Sequence, residues 1–249
     1  MKFKQVLASA AAALASTGAL AGNLSGNVGA VSDYMFRGLD QTGGGAAVQG
    51  GVDYGFDFGL YTGVWVSNSV AGGGNEADVY AGYGLKLWEF DLDGGIIYYG
   101  YTEDTELQTP GAQNADYAEV YVGGGIGPVA VKVFYAPEFG RDTPIGSALA
   151  SGSGDLEKNE LLYATAAVTV MFNETLSLIP QVGFSSGDGA KDAFGDEYID
   201  YSITVVKQLK DDLSASLAVI GTDLDNVNGA TDNKDNPKFV IGLKKAFSI

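Results

Sequence analysis

An all-β fold, a single transmembrane antiparallel β-barrel of twelve strands, is what this sequence predicts, and three observations predict it. From Asn23 onward the hydrophobic period is two rather than 3.6. Apolar runs of about ten residues recur with Gly, Asp or Asn between them, the length a tilted strand needs to cross an apolar band of roughly 25 Å. The connections between runs alternate short and long along the whole chain, which puts tight turns at one end of a barrel and long loops at the other.

The chain opens on MKFKQVLASAAAALASTGALAG. Lys2 and Lys4 form a positive head, residues 6–15 an apolar stretch and Ala19-Leu20-Ala21 a small-x-small cleavage site. Residues 1–21 therefore read as a secretory signal peptide and residues 22–249 as the barrel. The apolar stretch is shorter than the ~20 residues of a membrane-spanning helix. Its removal leaves 12 basic side chains against 31 acidic ones, a formal charge of −19.

The strands follow in order. Residues 27–37 place Val28, Ala30, Tyr34 and Phe36 on one face and Asn27, Asp33 and Arg37 on the other. Residues 46–56 oppose Val48, Val52, Tyr54 and Phe56 to Gln49 and Asp53. Residues 59–68 oppose Leu60, Val64 and Val66 to Tyr61, Trp65 and Ser67. The fourth strand sets Val79, Ala81, Tyr83, Leu85 and Leu87 against Asp78, Tyr80 and Lys86. The fifth sets Phe90, Leu92, Ile96 and Tyr98 against Asp91, Asp93, Tyr99 and Tyr101. In the sixth, Ala118, Val120, Val122 and Ile126 face away from Tyr117, Glu119 and Tyr121; in the seventh, Val129, Val131, Val133 and Tyr135 face away from Lys132 and Phe134. The eighth opposes Leu162, Ala164, Ala166, Val168, Val170 and Phe172 to Tyr163, Thr165 and Thr169. The ninth opposes Leu176, Leu178, Val182 and Phe184 to Ser177 and Gln181, and is the weakest pattern because Pro180 lacks a ladder donor. Ile199, Tyr201, Ile203 and Val205 against Asp200, Ser202 and Thr204 make the tenth. Leu213, Ala215, Leu217 and Val219 against Ser214 and Ser216 make the eleventh, and Phe239, Ile241, Leu243 and Phe247 against Lys238, Gly242 and Lys244 the last.

Short connections fall near residues 57–58, 88–89, 127–128, 173–174 and 210–212, and long ones at 38–45, 70–76, 102–115, 140–158, 186–197 and 222–236. Five short and six long make the eleven that twelve strands require, with the short turns periplasmic and the long loops extracellular. A secreted two-sheet sandwich would bury the apolar faces against each other. Aromatic residues near the ends of the apolar faces, from Tyr34 and Phe36 to Phe239 and Phe247, and the placing of Lys207 and Lys245 near the short-turn end, where they could snorkel, favour the barrel.

Composition narrows the chemistry. The formal charge of −17 opposes phosphate-tracking and argues against a nucleic-acid partner. With no His, the sequence lacks histidine-based triads, His-ligated zinc and the usual general base; with no Cys, it lacks thiolate catalysis and disulfides. No enzymatic activity and no cofactor are expected.

The run Ser32-Asp33-Tyr34-Met35-Phe36-Arg37-Gly38, followed by Gln41-Thr42, resembles the opening of the TorF-type porins, a family of proteobacterial outer-membrane proteins also called Gcw_chp. Val48-Gln49-Gly50-Gly51 with Asp53-Tyr54, Gly63-Val64-Trp65 with Ser67-Asn68, Tyr98-Tyr99-Gly100-Tyr101 and the Tyr117 to Tyr121 stretch around Glu119 are similar in kind. The resemblance covers the first half of the mature chain in motifs and the second half in strand rhythm only. It implies a membrane barrel and a pore, without naming a solute. The terminus departs from the common final Phe, ending Phe247-Ser248-Ile249.

If the apolar face meets lipid, the other lines a lumen. Its charges are Asp33, Asp53, Asp78, Asp91, Asp93, Glu119 and Asp200 against Arg37, Lys86, Lys132 and Lys244, which predicts a mild cation preference. Twelve strands give a backbone diameter near 24 Å, and inward side chains leave on the order of 10 Å. Asp33 and Arg37, about 13 Å apart along one strand, are expected to pair across strands, Arg37 with Asp53. These charges suit a salt-bridge network that stiffens the barrel or, more sharply, a constriction that selects solutes. Tyr61, Trp65, Tyr80, Tyr99, Tyr101, Tyr117, Tyr121, Phe134 and Tyr163 also point inward, as packing or as a stacking track.

The acidic stretch from Asp223 to Asp235 misses the calcium-loop spacing, since Gly229 stands seventh and Lys234 twelfth, and reads as a solvated acidic loop, the alternative being weak divalent-cation binding. Gly43-Gly44-Gly45 and Gly72-Gly73-Gly74 lack the Lys-Ser/Thr of a phosphate loop. The sequence thus points to a Gram-negative outer-membrane porin embedded in lipid and passing ions or small hydrophilic solutes. The other reading is a non-conducting structural or adhesive barrel acting through its acidic loops.

Overall fold

The computed structural model describes residues 23–69, 74–102, 116–139, 159–224 and 237–248. The expected signal peptide and all of the acidic loop beyond Leu224 lie outside these residues.

Alternating side chains give one wall strand per predicted run. These are β1 (Asn23–Val31), β4 (Ala47–Gly55), β5 (Leu60–Ser67), β6 (Glu76–Leu87), β7 (Phe90–Tyr101), β8 (Tyr117–Ile126) and β9 (Val129–Ala136). They continue as β10 (Leu161–Val168) with β11 (Val170–Asn173), then β12 (Leu176–Ser186), β13 (Tyr198–Gln208), β14 (Leu213–Thr222) and β15 (Lys238–Ser248). Every neighbour pair is antiparallel. β1 closes on β15 through Ala30 opposite Leu243, and β10 on β12 through Ala164 opposite Phe184, so twelve strands form a ring without free edges. Helix is almost absent among the described residues: α1 (Asp188–Phe194) is a seven-residue piece in one long connection.

Two strands depart from the expectation. The first leaves the wall after Val31, and residues 35–40 form a separate hairpin of β2 (Met35–Phe36) and β3 (Leu39–Asp40). Tyr34 and Phe36, expected among the outer aromatics, lie inside instead. The eighth is interrupted at Thr169, where it splits into β10 and β11; the break lies opposite Ile179 and Pro180, and Pro180 offers β12's neighbour no N–H.

Outward faces carry exposed Val, Leu and Ile, a surface that only an apolar solvent satisfies. Aromatics bound this band at both ends. Phe56, Phe58, Trp88 and Phe172 stand at the short-turn end, and Tyr98, Tyr135, Phe184, Tyr201 and Phe239 toward the long loops. Lys207 donates to Thr175 Oγ1 at 2.8 Å at the short-turn end.

Inside, tyrosines lie flat against the wall because glycines leave room beneath them. A Cβ on Gly63 would come within 2.5 to 2.7 Å of the Tyr80 ring and hydroxyl, and Tyr61 and Tyr121 cover Gly82 in the same way. This pairing sets how far the rings project into the barrel.

Candidate functional site in the barrel mouth

Residues 32–46 leave β1 at the long-loop end and fold back into the interior. Ser32 anchors the departure, pairing its N–H and hydroxyl with the Ile241 backbone at 2.9 and 3.0 Å. Thr42 zips the base: its Oγ1 accepts from the Tyr34 N–H at 3.1 Å and donates to Asp33 at 2.9 Å, while its own N–H donates to Asp40 Oδ1 at 2.8 Å. Phe36 pairs with Leu39 across a two-residue turn. Arg37 and Gly38 sit at φ 49° and 79°, the double positive φ that a type I′ hairpin turn requires. For Arg37 that conformation costs about 1–2 kcal/mol, and the surroundings hold it there.

The hairpin reaches walls on every side. Tyr34 donates to Glu76 Oε1 at 3.2 Å and stands edge-on to Trp65 at 5.6 Å. Met35 packs among Val31, Ala218, Ile220 and Val240 on the opposite wall. Phe36 stands edge-on to Tyr99, and Leu39 packs with Tyr198 and Leu224. Gly38 passes so close to β13 and β14 that a Cβ there would meet Asp200 Cβ at 2.8 Å and the Gly221 carbonyl oxygen at 3.0 Å. The segment thus bridges the barrel's width near its long-loop mouth.

Arg37 is the centre of the arrangement. The expected partner was Asp53; the actual one is Glu119 on β8, with Nη2 donating to Oε2 at 2.6 Å and both side chains out of water. The pairing follows from the hairpin, since Arg37 is not on the wall strand that would have faced Asp53. The guanidinium carbon lies 4.2 Å from the Tyr163 ring centroid, 4.8 Å from Phe36 and 5.2 Å from Phe134. Tyr99 Oη also donates to Glu119 Oε2, at 3.1 Å. Burial, the largest single influence, works against the Arg37 charge, but Glu119 together with Tyr117 and Tyr99 outweighs it and raises the pKa, so the guanidinium stays protonated. Asp33, at the hairpin base, is pushed up to about 6, chiefly by burial and also by Asp40 beside it, against the Thr42 hydrogen bond.

The other predicted residues fall into separate groups. Asp93 holds Lys132 at 2.8 Å and accepts from Tyr61 at 2.6 Å; Tyr61 also meets Tyr121, above whose ring Lys132 lies at 4.5 Å. Tyr80 donates to Asp53. Asp200 accepts from Tyr163 at 3.3 Å, and Tyr99 stacks on Tyr117 at 4.5 Å. Tyr101, half-buried, packs against the cluster of interior aromatics. Lys86 and Asp91 pair at 2.8 Å, but both are exposed at the short-turn end. Asp78 is buried beside the mouth, and Lys244 lies half-buried on β15.

Sequence reasoning missed Glu76, buried and bound by Tyr34, although it continues the inward alternation of Asp78 and Tyr80 one step back. It also missed Tyr198, which the same alternation places two residues before Asp200. Beside the mouth, Lys191 on α1 pairs at 3.1 Å with Glu197 just beyond the helix; Glu197 raises the Lys191 pKa and Lys191 lowers that of Glu197. Among the described residues no cluster of three acidic, His or Cys side chains is placed to hold a metal ion.

A family model described as "Bacterial protein of unknown function (Gcw_chp)" matches residues 15–247, both halves of the barrel rather than the first alone. No curated protein matches the chain in sequence. Among solved structures, the KdgM porin superposes with a TM-score of 0.54 at 12% identity, covering 90% of this chain and 99% of that one. The NanC porin does so with a TM-score of 0.52 at 13% identity, covering 90% and 98%. A KdgM porin in complex with disordered oligogalacturonate matches with a TM-score of 0.52 at 10% identity, covering 90% and 99%. At these identities the likeness is one of fold.

Proposed function

Since this chain belongs to the Gcw_chp family and closes into the barrel fold of the KdgM and NanC porins, we propose that it is an outer-membrane porin passing small hydrophilic solutes, with a preference for cations. One observation carries the reading: a closed ring of twelve strands, apolar outside and lined inside by charged and hydroxyl side chains. Folded β-strands of 8 to 12 residues in most of the wall match an outer-membrane bilayer, and the sequence before Asn23 has the pattern expected of an export signal. Acidic groups exceed basic ones in the interior, which favours cations at each binding step. No catalytic step is assigned to the interior.

The hairpin across the mouth makes the passage a constriction rather than a wide pore. It also favours a second reading, a barrel that stays shut and acts through its loops. Single-channel recording in a planar bilayer under a potassium chloride gradient separates them. Discrete current steps with a reversal potential on the cation side are expected. An anion-side reversal would overturn the charge assignment, and silence from demonstrably inserted protein would favour the shut barrel.

A further inference from the structure

The cage around Arg37 belongs almost wholly to the barrel wall. Tyr99, Glu119, Phe134 and Tyr163 stand on the wall strands β7, β8, β9 and β10, and of the groups around the guanidinium only Phe36 is on the hairpin. Arg37 also uses less than the wall offers. Glu119 Oε1 is buried without a hydrogen-bond partner among the described residues, as are Asp78 Oδ1 on β6 and Asp200 Oδ2 on β13. Lys132, a wall base over the Tyr121 and Phe134 rings, pairs with Asp93. A vacated cage is therefore rich in carboxylate oxygen and aromatic surface, and the cation at its edge, Lys132 at 5.9 Å from the Phe134 centroid, is paired with Asp93.

That combination has a definite chemical preference. On the hairpin, Arg37 reaches Glu119 only through Nη2 to Oε2, and both its Nη1 and Glu119 Oε1 are buried without a hydrogen-bond partner among the described residues; a planar guanidinium not tethered to the hairpin can lie on the Tyr163 face and turn its fork onto both Glu119 oxygens. A compact ammonium is more strongly hydrated and offers no such fork. The occupant already seated there is itself a guanidinium, delivered on a turn whose Arg37 backbone is strained. We propose that the Glu119–Tyr163–Phe134 cage is a binding site for solutes bearing a guanidinium group, and that Arg37 fills it as an internal stand-in which such a solute displaces. The proposal rests on the porin reading in making the bound group a permeating solute. It explains why the hairpin, docked elsewhere through the apolar Met35 and Leu39, sends a charge into this cage, since a charged stand-in can be exchanged for a solute of the same kind.

The test uses methylguanidine as probe, with tetramethylammonium for comparison, on the full-length folded barrel. Calorimetric titration in detergent micelles measures binding without requiring conduction. Arg37→Ala should bind methylguanidine about tenfold or more tighter than the unaltered chain, because the internal competitor is gone. Adding Glu119→Gln to that variant should remove the gain. Arg37→Gln provides a second vacated cage should the alanine variant fold poorly, with β-sheet circular dichroism as the check on folding. Equal binding by all variants would overturn the proposal, and so would tetramethylammonium binding as tightly as methylguanidine. Bilayer recordings on the same proteins keep the two readings apart. Binding without current in any variant would uphold the cage and refute the porin; current without methylguanidine binding would do the reverse.

Discussion

Removing the Arg37 side chain should undock the mouth hairpin. In Arg37→Ala the Glu119 carboxylate stays in a site with its side chain fully out of water and its cation gone. Breaking one side of such a buried pair costs about 3–5 kcal/mol, most of it the uncompensated charge. At 1.4 kcal/mol per decade, that raises the open fraction of the hairpin by roughly 10²- to 10³-fold or more. The chain has no cysteine, so a single Met35→Cys substitution on the hairpin, where Met35 is 4% exposed, provides a clean reporter. Its rate of reaction with a water-soluble thiol reagent, measured in folded protein with and without Arg37→Ala, reads the opening equilibrium directly. Replacing both partners, Arg37→Met with Glu119→Leu, should restore much of the protection, because two apolar groups leave no orphaned charge. A labelling rate changed less than about tenfold by Arg37→Ala, or a double variant as open as the single one, would refute the reasoning that this pair holds the hairpin.

The wall and the hairpin base supply further expectations. Gly95→Ala should lower folding stability by about 1–3 kcal/mol, since its Cβ would strike the Ala81 carbonyl oxygen. Gly84→Ala, where the nearest such atom is 3.9 Å away, should change it by less than about 0.5 kcal/mol; urea unfolding from lipid vesicles, followed by tryptophan fluorescence, compares the two, and equal effects would refute the packing argument. Docking should also depend on pH through Asp33, whose carboxyl is raised from 3.8 to about 6 in the folded chain. A raised acid favours the docked state fully below its ordinary value and loses that contribution as pH rises through about 6. The labelling rate at Met35→Cys, normalised to a cysteine at exposed Asp57, should therefore rise over that window, and Asp33→Asn should flatten the rise.

Sequence alone determined the barrel. Each wall strand has one face toward an apolar surrounding and one toward the interior, so burial imprints a period of two that is visible residue by residue, and the alternation of short and long connections fixes the up-and-down order. The Ser32 to Thr42 motif was equally visible as a motif, but not as a hairpin. Tyr34 and Phe36 alternate with Asp33, Met35 and Arg37 just as strand residues do, and the positive φ at Arg37 leaves no mark in residue type. What turns this segment inward is a set of contacts with β5 through β10 and β13 through β15, all of which exist only once the ring has closed. The Arg37–Glu119 pair joins positions 82 residues apart, and its choice over Asp53 follows from where the hairpin enters the barrel. Local alternation, written in every strand, specified the wall; long-range closure, written in none of them, decided what fills its mouth.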